Sequence, residues 1–532
     1  MKKVAIIIIS TMPMANVAQA VEPLANANKQ GLYARSIEEV LRLQPDQVDL
    51  GIAALIVSER WSSLVQGRKY QSELDDMAYA IRKRLQAKKV PLNCKAIEVV
   101  NDYLYNELGF KSVKDANDAN DLFLHTVLDK KRGYCLSLSV LYLAIGERLG
   151  LPLYGVVVPG HFFVRYDDGR MRFNIETTSK GGVADDEHYV REFKVPRNNG
   201  IYMQNLNKIQ TIGCFYNNLG NIYSQSGDID SAMAVLEKAV EINPSLSDCH
   251  TNLGNVYLRK ERVDDAVRQY RLALEMNPGD TVIHSNLGNA YIRQERYSDA
   301  IGEFRDALVI DPKQVECYKR LAFAYSKIKL FSSAKAALRD AMSLRPNDAE
   351  CCKQLGDIYS EEGNCREAIF QYEKASEFKK DYAEAYFAMG LCYGKLGQTD
   401  NEIVAYKKAI EYSGNMSPAM LNLGNAYMSQ KDYDGAIELY KRAMKAEPKE
   451  SLVYYNLGVA YSYKNDFKEA SRYYLKAVEL SPKMADAHNG LALAFYRLRE
   501  YDLAMYHLKQ AEEFGAKINP DLLKAIQKEL KQ

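Results

Sequence analysis

From residue 219 onward the hydrophobic positions recur in a fixed frame. Leu219, Leu253, Leu287, Leu321, Leu355, Met389, Leu423, Leu457 and Leu491 stand 34 residues apart. Four residues after each comes an aromatic, from Tyr223 to Tyr461 and finally Phe495, and twenty after each comes an alanine, from Ala239 through Ala375 to Ala511. Within a unit the apolar spacing of three and four predicts two amphipathic helices. A large residue, a small one (Gly220, Gly254, Gly288, Ala322) and an aromatic occupy adjacent turns of the first helix, and the alanine of the second lets the pair approach closely. Pro244, Pro278, Pro312, Pro346, Pro448 and Pro482 close six of the nine units, where an imide stops the second helix. Upstream the pattern changes. Asp49 to Leu64, Ser72 to Leu85 and Ala96 to Glu107 predict amphipathic helices, the last ended by Gly109. Cys135 to Leu149 predicts a helix stopped by Gly150. Three strands are then expected: Leu153 to Val158, one beginning at His161, and Arg170 to Ile175 after an Asp168-Gly169 turn.

The 34-residue period and its helix-turn-helix pattern resemble the tetratricopeptide repeat. Nine such pairs, residues 213 to 518, predict an all-α solenoid, because each pair leaves apolar surface that only a neighbour covers. The stretch Asn519 to Gln532, with Leu522, Leu523, Ile526 and Leu530 at helical spacing, is expected to cap the last pair. The resemblance implies a platform that binds a protein or peptide in a concave groove. First helices carry asparagine at two recurring positions, Asn218 and Asn221, Asn252 and Asn255, Asn286 and Asn289, Asn422 and Asn425. A row of side-chain amides suits an extended peptide backbone, although NLGNAY is also a common version of the repeat. Lys319, Arg320, Phe323, Lys353, Asp357 and Phe387 replace the amides in repeats four to six, so the groove is chemically uneven.

Charge and processing signals narrow the setting. The net charge is +1, and removal of Lys2 and Lys3 would take it to −1, so no basic field points to nucleic acid or anionic membrane. Lys2 and Lys3 precede the apolar run VAIIIIS and the small-residue site Ala18-Gln19-Ala20, the order of a cleavable secretory signal over residues 1 to 20; VAIIII would also suit a buried strand. No cysteine stands near that site to accept lipid, and no later stretch approaches ~20 apolar residues. An exported protein without a transmembrane segment is expected, periplasmic if the source is a double-membrane bacterium. Nine cysteines fit poorly with export; Cys249, Cys317 and Cys351 share one repeat position and read as small apolar core fillers. One disulfide among Cys351, Cys352 and Cys365 is conceivable. No C-x-x-C pair and no His/Cys cluster with zinc spacing occurs, so neither metal nor other cofactor is expected.

Residues 30 to 200, followed by a linker at 201 to 212, hold the candidate chemistry. The phrases DLGIAALIVSERW, LFLHTVLDKKRG and LSLSVLYLAIGERLGLPLYGVVVPGHFFVRY resemble a bacterial branch of the transglutaminase-like superfamily, a papain-type α+β fold. In that branch the cysteine is often missing; here it is present. The family's Cys-helix, its His at a strand start and its acid near the end of the next strand fall on Cys135, His161 and Glu176, the last where the family more often has Asp. The resemblance implies that Cys135, at a helix N-terminus, is a nucleophile whose backbone N–H helps hold an oxyanion. His161 would take and return its proton, and Glu176 would fix the imidazole tautomer. Asn174, two residues earlier on the same strand face, is the alternative third member. His125, Arg132, Tyr134 and Ser137 flank the same segment as possible cleft residues, while Ser137 and Ser139 also read as helix-surface or core-edge hydroxyls and Trp61 as packing.

Two functions follow as expectations. In one, a cysteine centre hydrolyses an amide or transfers its acyl group while the repeats recruit a protein or peptide. In the other, the front domain is inactive and the whole chain is a scaffold for assembling an envelope complex.

Overall fold

The computed structural model describes residues 26–27, 33–62, 64–113, 118–195 and 201–531; the leader expected over residues 1 to 20 lies outside them. Two compact units divide the chain, Met1–Ile310 and Asp311–Gln532.

In the first unit the helix Leu50–Trp61 begins at Asp49, whose carboxylate accepts from the Ile52 N–H at 2.9 Å. Leu50 to Ser58 are buried on every side, so this is a core helix and not the amphipathic one expected, and it stops three residues short of Leu64. The next helix, Gly67–Ala87, is amphipathic and begins five residues before the expected Ser72. Ala96–Asn101 continues into a π-helical turn, Asp102–Glu107. The helix Cys135–Leu149 is buried from Leu136 to Gly146 and ends on Gly150 at φ +80°. Gly146 is required by close approach, since a Cβ there would lie 2.3 Å from the Leu153 side chain.

Four antiparallel strands follow in sequence order, Leu153–Val158, His161–Asp167, Arg172–Glu176 and Gly182–Ala184. Val158 pairs with His161, Val164 with Ile175 and Glu176 with Gly182. Sequence pattern missed the fourth strand, three residues with little apolar signal, and the helix Asp186–Glu192 that follows it. Residues 201 to 206 do not form a free linker. The Met203 and Leu206 N–H groups donate to Val157 and Gly155 carbonyls at 3.1 and 2.9 Å, covering the outer edge of the first strand. Helix Lys208–Ser226 then starts under an Asn207/Gln210 capping box, five residues ahead of the expected repeat boundary. One hydrophobic core consequently runs from Ala34 to Cys249, and the first three helix pairs, through Tyr297–Ile310, belong to the same unit as the sheet.

The second unit contains the remaining helix pairs, from Val315–Lys327 onward, and a last helix, Pro520–Glu529, N-capped by Asn519. Ile526 is buried there and Leu522 and Leu523 pack beside it, but Leu530 is exposed, since the helix ends before it. In both units the periodic marks have one packing reason. A Cβ on Gly254 would meet the Tyr270 ring at 2.6 Å and one on Gly424 the Tyr440 ring at 2.4 Å, so in these repeats the glycine of the first helix seats the ring of the second, whereas Gly220 of the first repeat faces Leu236. All nine marked alanines are wholly buried. Cys249, Cys317 and Cys351 are buried, and none of the nine cysteines forms a disulfide, Cys351, Cys352 and Cys365 included. The fold is thus a small α+β domain joined to an all-α repeat array.

Candidate active site

Cys135 is the first residue of its helix, so its N–H has no acceptor one turn earlier within that helix. The turn ahead of it is held by several bonds. Ser137 Oγ accepts from the Tyr134 N–H at 2.9 Å and donates to the Asp121 carbonyl at 2.7 Å; the Tyr134 hydroxyl donates to the Asp118 carbonyl. Arg132 pairs with Asp118 and Asp121. Ser137 is therefore a buried capping hydroxyl and not a surface one. Ser139 is buried as well, 2.9 Å from Thr177 Oγ1, whose hydroxyl lies 3.5 Å from the Cys135 carbonyl.

His161, at the start of the second strand, has its Nε2 2.7 Å from Glu176 Oε2 at the end of the third. Cys135 lines the same cavity as His161 and is among the groups that raise the pKa of the ring, and with Nε2 taken by Glu176 the ring nitrogen left over is Nδ1. The three residues thus meet although 26 and 15 positions separate them. Burial opposes a charged imidazole here, but the hydrogen bonds and charges of Cys135 and Glu176 outweigh it and raise His161 to about 9. Burial likewise disfavours the Glu176 carboxylate, yet His161 and Thr178 hold its pKa below the usual value. The ring is further fixed by stacking on Phe193, centroids 4.7 Å apart and planes 3° apart.

Residues that the sequence reading passed over complete this arrangement. Tyr189 Oη donates to Glu176 Oε2 at 3.1 Å, and Thr178 donates to Oε1 through its N–H at 3.0 Å and its hydroxyl at 2.5 Å. Thr178 was accessible as a hydroxyl two residues past the acid; Tyr189 carries no local mark, because its role depends on the Asp186–Glu192 helix folding back on the sheet. Asn174 does not serve as a third member. It is buried, accepting from Arg165 Nε at 2.7 Å directly across the strand pair and donating to Asp186 Oδ1 at 2.7 Å, while Asp186, 2.6 Å from Arg165 Nη2, supplies the opposite charge. His125 is also elsewhere, packed against Tyr70 and Phe123 with its Nε2 3.1 Å from Thr126 Oγ1. Trp61 stacks on Phe123 at 4.6 Å, as a packing residue does.

A cavity of about 360 Å³ opens on Cys135 and His161. Its facing wall comes from the first two repeats and includes Asn218, Asn221 and Asn252 of the expected amide row. Other members of that row are tied into the repeats. Asn255 Oδ1 accepts from Tyr270 Oη at 2.7 Å and from Asn286 Nδ2 at 3.1 Å, and Asn425 Oδ1 accepts from Tyr440 Oη at 2.7 Å. Asn255 and Asn425 thus orient the buried tyrosines of their own helix pairs, and Asn286 bridges to the preceding repeat. Asn289 and Asn422 are half-buried on their first helices. Of the groups that could gather a metal, the described residues offer His284, Glu303 and Asp306. Both His284 ring nitrogens are engaged, Nδ1 2.7 Å from Glu303 and Nε2 3.1 Å from the Pro278 carbonyl, so that group reads as an intra-repeat clasp.

Residues 68–201 match the family model of the transglutaminase-like superfamily, and tetratricopeptide repeat models match segments from residue 220 to residue 517. The chain carries a transglutaminase-like domain followed by tetratricopeptide repeats. It is 35% identical over 82 residues to F-box only protein 21 of Mus musculus, 15% of this chain and 13% of that protein. To a UPF0162 protein of Xylella fastidiosa it is 32% identical over 120 residues, 22% of this chain and 42% of that one. These matches span less than half the length of either relative. Among solved structures, MamA is 30% identical over 30% of this chain and 95% of its own, with a TM-score of 0.29. The C-terminal part of a TPR repeat-containing protein from Cytophaga hutchinsonii is 19% identical over 45% of this chain and 97% of its own, with a TM-score of 0.39. No helix of the described residues is long and apolar enough to cross a membrane.

Proposed function

We propose that the transglutaminase-like domain is a working cysteine centre, that the repeats bring it a protein or peptide, and that the protein acts outside the cytoplasm. One observation carries the first part: Cys135 and His161 share a cavity, and Glu176 holds the far side of the imidazole. The Cys135 sulfur attacks an amide carbonyl carbon, forming a C–S bond, while the developing oxyanion is met by the Cys135 N–H at the helix start. His161 gives its proton to the departing amine as the C–N bond breaks, leaving a thioester. Water or a second amine, giving a proton to His161, then attacks the thioester carbonyl, and the C–S bond breaks with the sulfur leaving as thiolate beside the imidazolium. Water gives hydrolysis and an amine gives acyl transfer. Glu176 keeps Nε2–H engaged, so the proton exchanged with sulfur and substrate resides on Nδ1. Support for export is the leader-like segment ending at Ala20, with a periplasmic destination in a double-membrane bacterium.

Timed iodoacetamide labelling near neutral pH, read by peptide mass spectrometry, tests the centre. Cys135 should alkylate at least tenfold faster than Cys94, the other cysteine that is not buried, and His161→Ala should remove that advantage. Equal labelling of the two thiols would leave only the scaffold.

A further inference from the structure

The wall that faces Cys135 is not part of the transglutaminase-like domain. It is built by the first helices of repeats one and two, Lys208–Ser226 and Ser247–Arg259, and it is polar. Asn252 Nδ2 donates to Asn217 Oδ1 at 2.9 Å. Each amide offers both a donor and an acceptor side, so this bond leaves the Asn217 Nδ2 and the Asn252 Oδ1 as a neighbouring donor and acceptor, the complement of one peptide group. Beside them Asp248 is the one carboxylate lining the cavity. Its Oδ1 accepts from the Tyr202 hydroxyl at 2.8 Å, and no lysine or arginine among the described residues pairs with it. A carboxylate in a recess, with a neutral partner only, attracts a cation.

We propose that this wall is the recognition surface of the Cys135 centre and that it takes a peptide bearing an ammonium group, the ammonium on Asp248 and the adjoining backbone on Asn217 and Asn252. Such a peptide would be the substrate of the centre, so its recognition rests on the function proposed above. Burial raises the Asp248 pKa to about 6, with the Tyr202 hydrogen bond opposing and the Asp280 charge adding to the rise, so a bound cation would also keep the group ionised. Its position in the first turn of the Ser247–Arg259 helix suits a carboxylate for the helix dipole alone, but that role does not require a cavity in front of it. The ammonium has two sources, a lysine side chain or a peptide amino terminus.

The test uses the full chain carrying Cys135→Ala, which cannot form a thioester, immobilised on a support and exposed to a soluble random decapeptide library. Three versions are probed: unmodified, lysine-acetylated, and amino-terminally acetylated. Retained peptides from the unmodified library should be enriched at least fivefold in lysine near one position, or should depend as strongly on the free amino terminus. Acetylation of the correct source removes the effect and thereby identifies it. Asp248→Asn in the same background keeps the shape and the Tyr202 bond, and should abolish the preference. Retention without cation preference, a preference unchanged in Asp248→Asn, or no retained peptide at all would overturn the proposal. Because binding is read without chemistry, an unreactive Cys135 in the labelling experiment together with a lost preference here in Asp248→Asn would defeat the enzyme and leave the recognition surface standing.

Discussion

The tightest quantitative consequence of the site concerns His161. Its pKa rises from the ordinary 6.5 to about 9 on folding, through Cys135 and Glu176 acting against burial. At ~1.36 kcal/mol for each tenfold change in proton affinity, the folded state gains about 3 kcal/mol from the tighter proton. Because the folded value lies above the unfolded one, that stabilisation is complete below pH 6.5 and is lost as pH rises through 9; about 2.5 kcal/mol remains at pH 7 and almost none at pH 10. Little discount for solvent is needed, since the His161 side chain is 13% exposed. Trp61 is the only tryptophan of the chain and packs at the core of the first unit against Phe123, so urea unfolding followed by its fluorescence reports that unit. Wild type and His161→Gln are to be unfolded at pH 7 and at pH 10. Lysines and tyrosines titrating over that range affect both proteins alike. The wild type should lose about 2.5 kcal/mol more than the variant. In Cys135→Ala, which keeps Glu176 but removes the sulfur, the excess loss should shrink without vanishing. Equal losses in wild type and His161→Gln would mean that the imidazole gains no proton affinity from its neighbours, and the reasoning about an imidazolium beside Cys135 would fail.

Two further outcomes test the rest of the framework. Asn174→Ala should destabilise the first unit by about 1 to 3 kcal/mol, by stripping a partner from the buried Arg165, while the pH 7 to 10 difference attributed to His161 persists; loss of that difference in a folded variant would make Asn174 a partner of the imidazole after all. Ala375→Leu should cost the second unit roughly 1 to 3 kcal/mol by overpacking, because Ala375 is wholly buried; an unaltered calorimetric transition would contradict the tight helix pair.

Sequence alone determined the features whose cause is local or periodic. A 34-residue frame repeated nine times can bury its apolar marks only by stacking, so the close approach at the alanines was already implied by spacing, while the second-helix ring that fills the glycine gap was not. The helix from Cys135 to Leu149 and the strands beginning at Leu153 and His161 were legible for the same reason, since a terminating glycine and a change of period mark them. The order Cys135, His161, Glu176 suggested a centre, but order does not set distance. Tertiary structure decided what depends on packing between elements. It gave the imidazole to Glu176 and tied Asn174 to Arg165, although both side chains leave the same face of one strand. It laid residues 201 to 206 along the sheet edge and so set the first two repeats in front of Cys135. It also divided the asparagines, tying Asn255 and Asn425 to tyrosine hydroxyls while Asn218, Asn221 and Asn252 line the cavity. Identical residues in an identical repeat frame diverge because a hydrogen bond is settled by which partner lies within about 3 Å, and that is a property of the assembled chain.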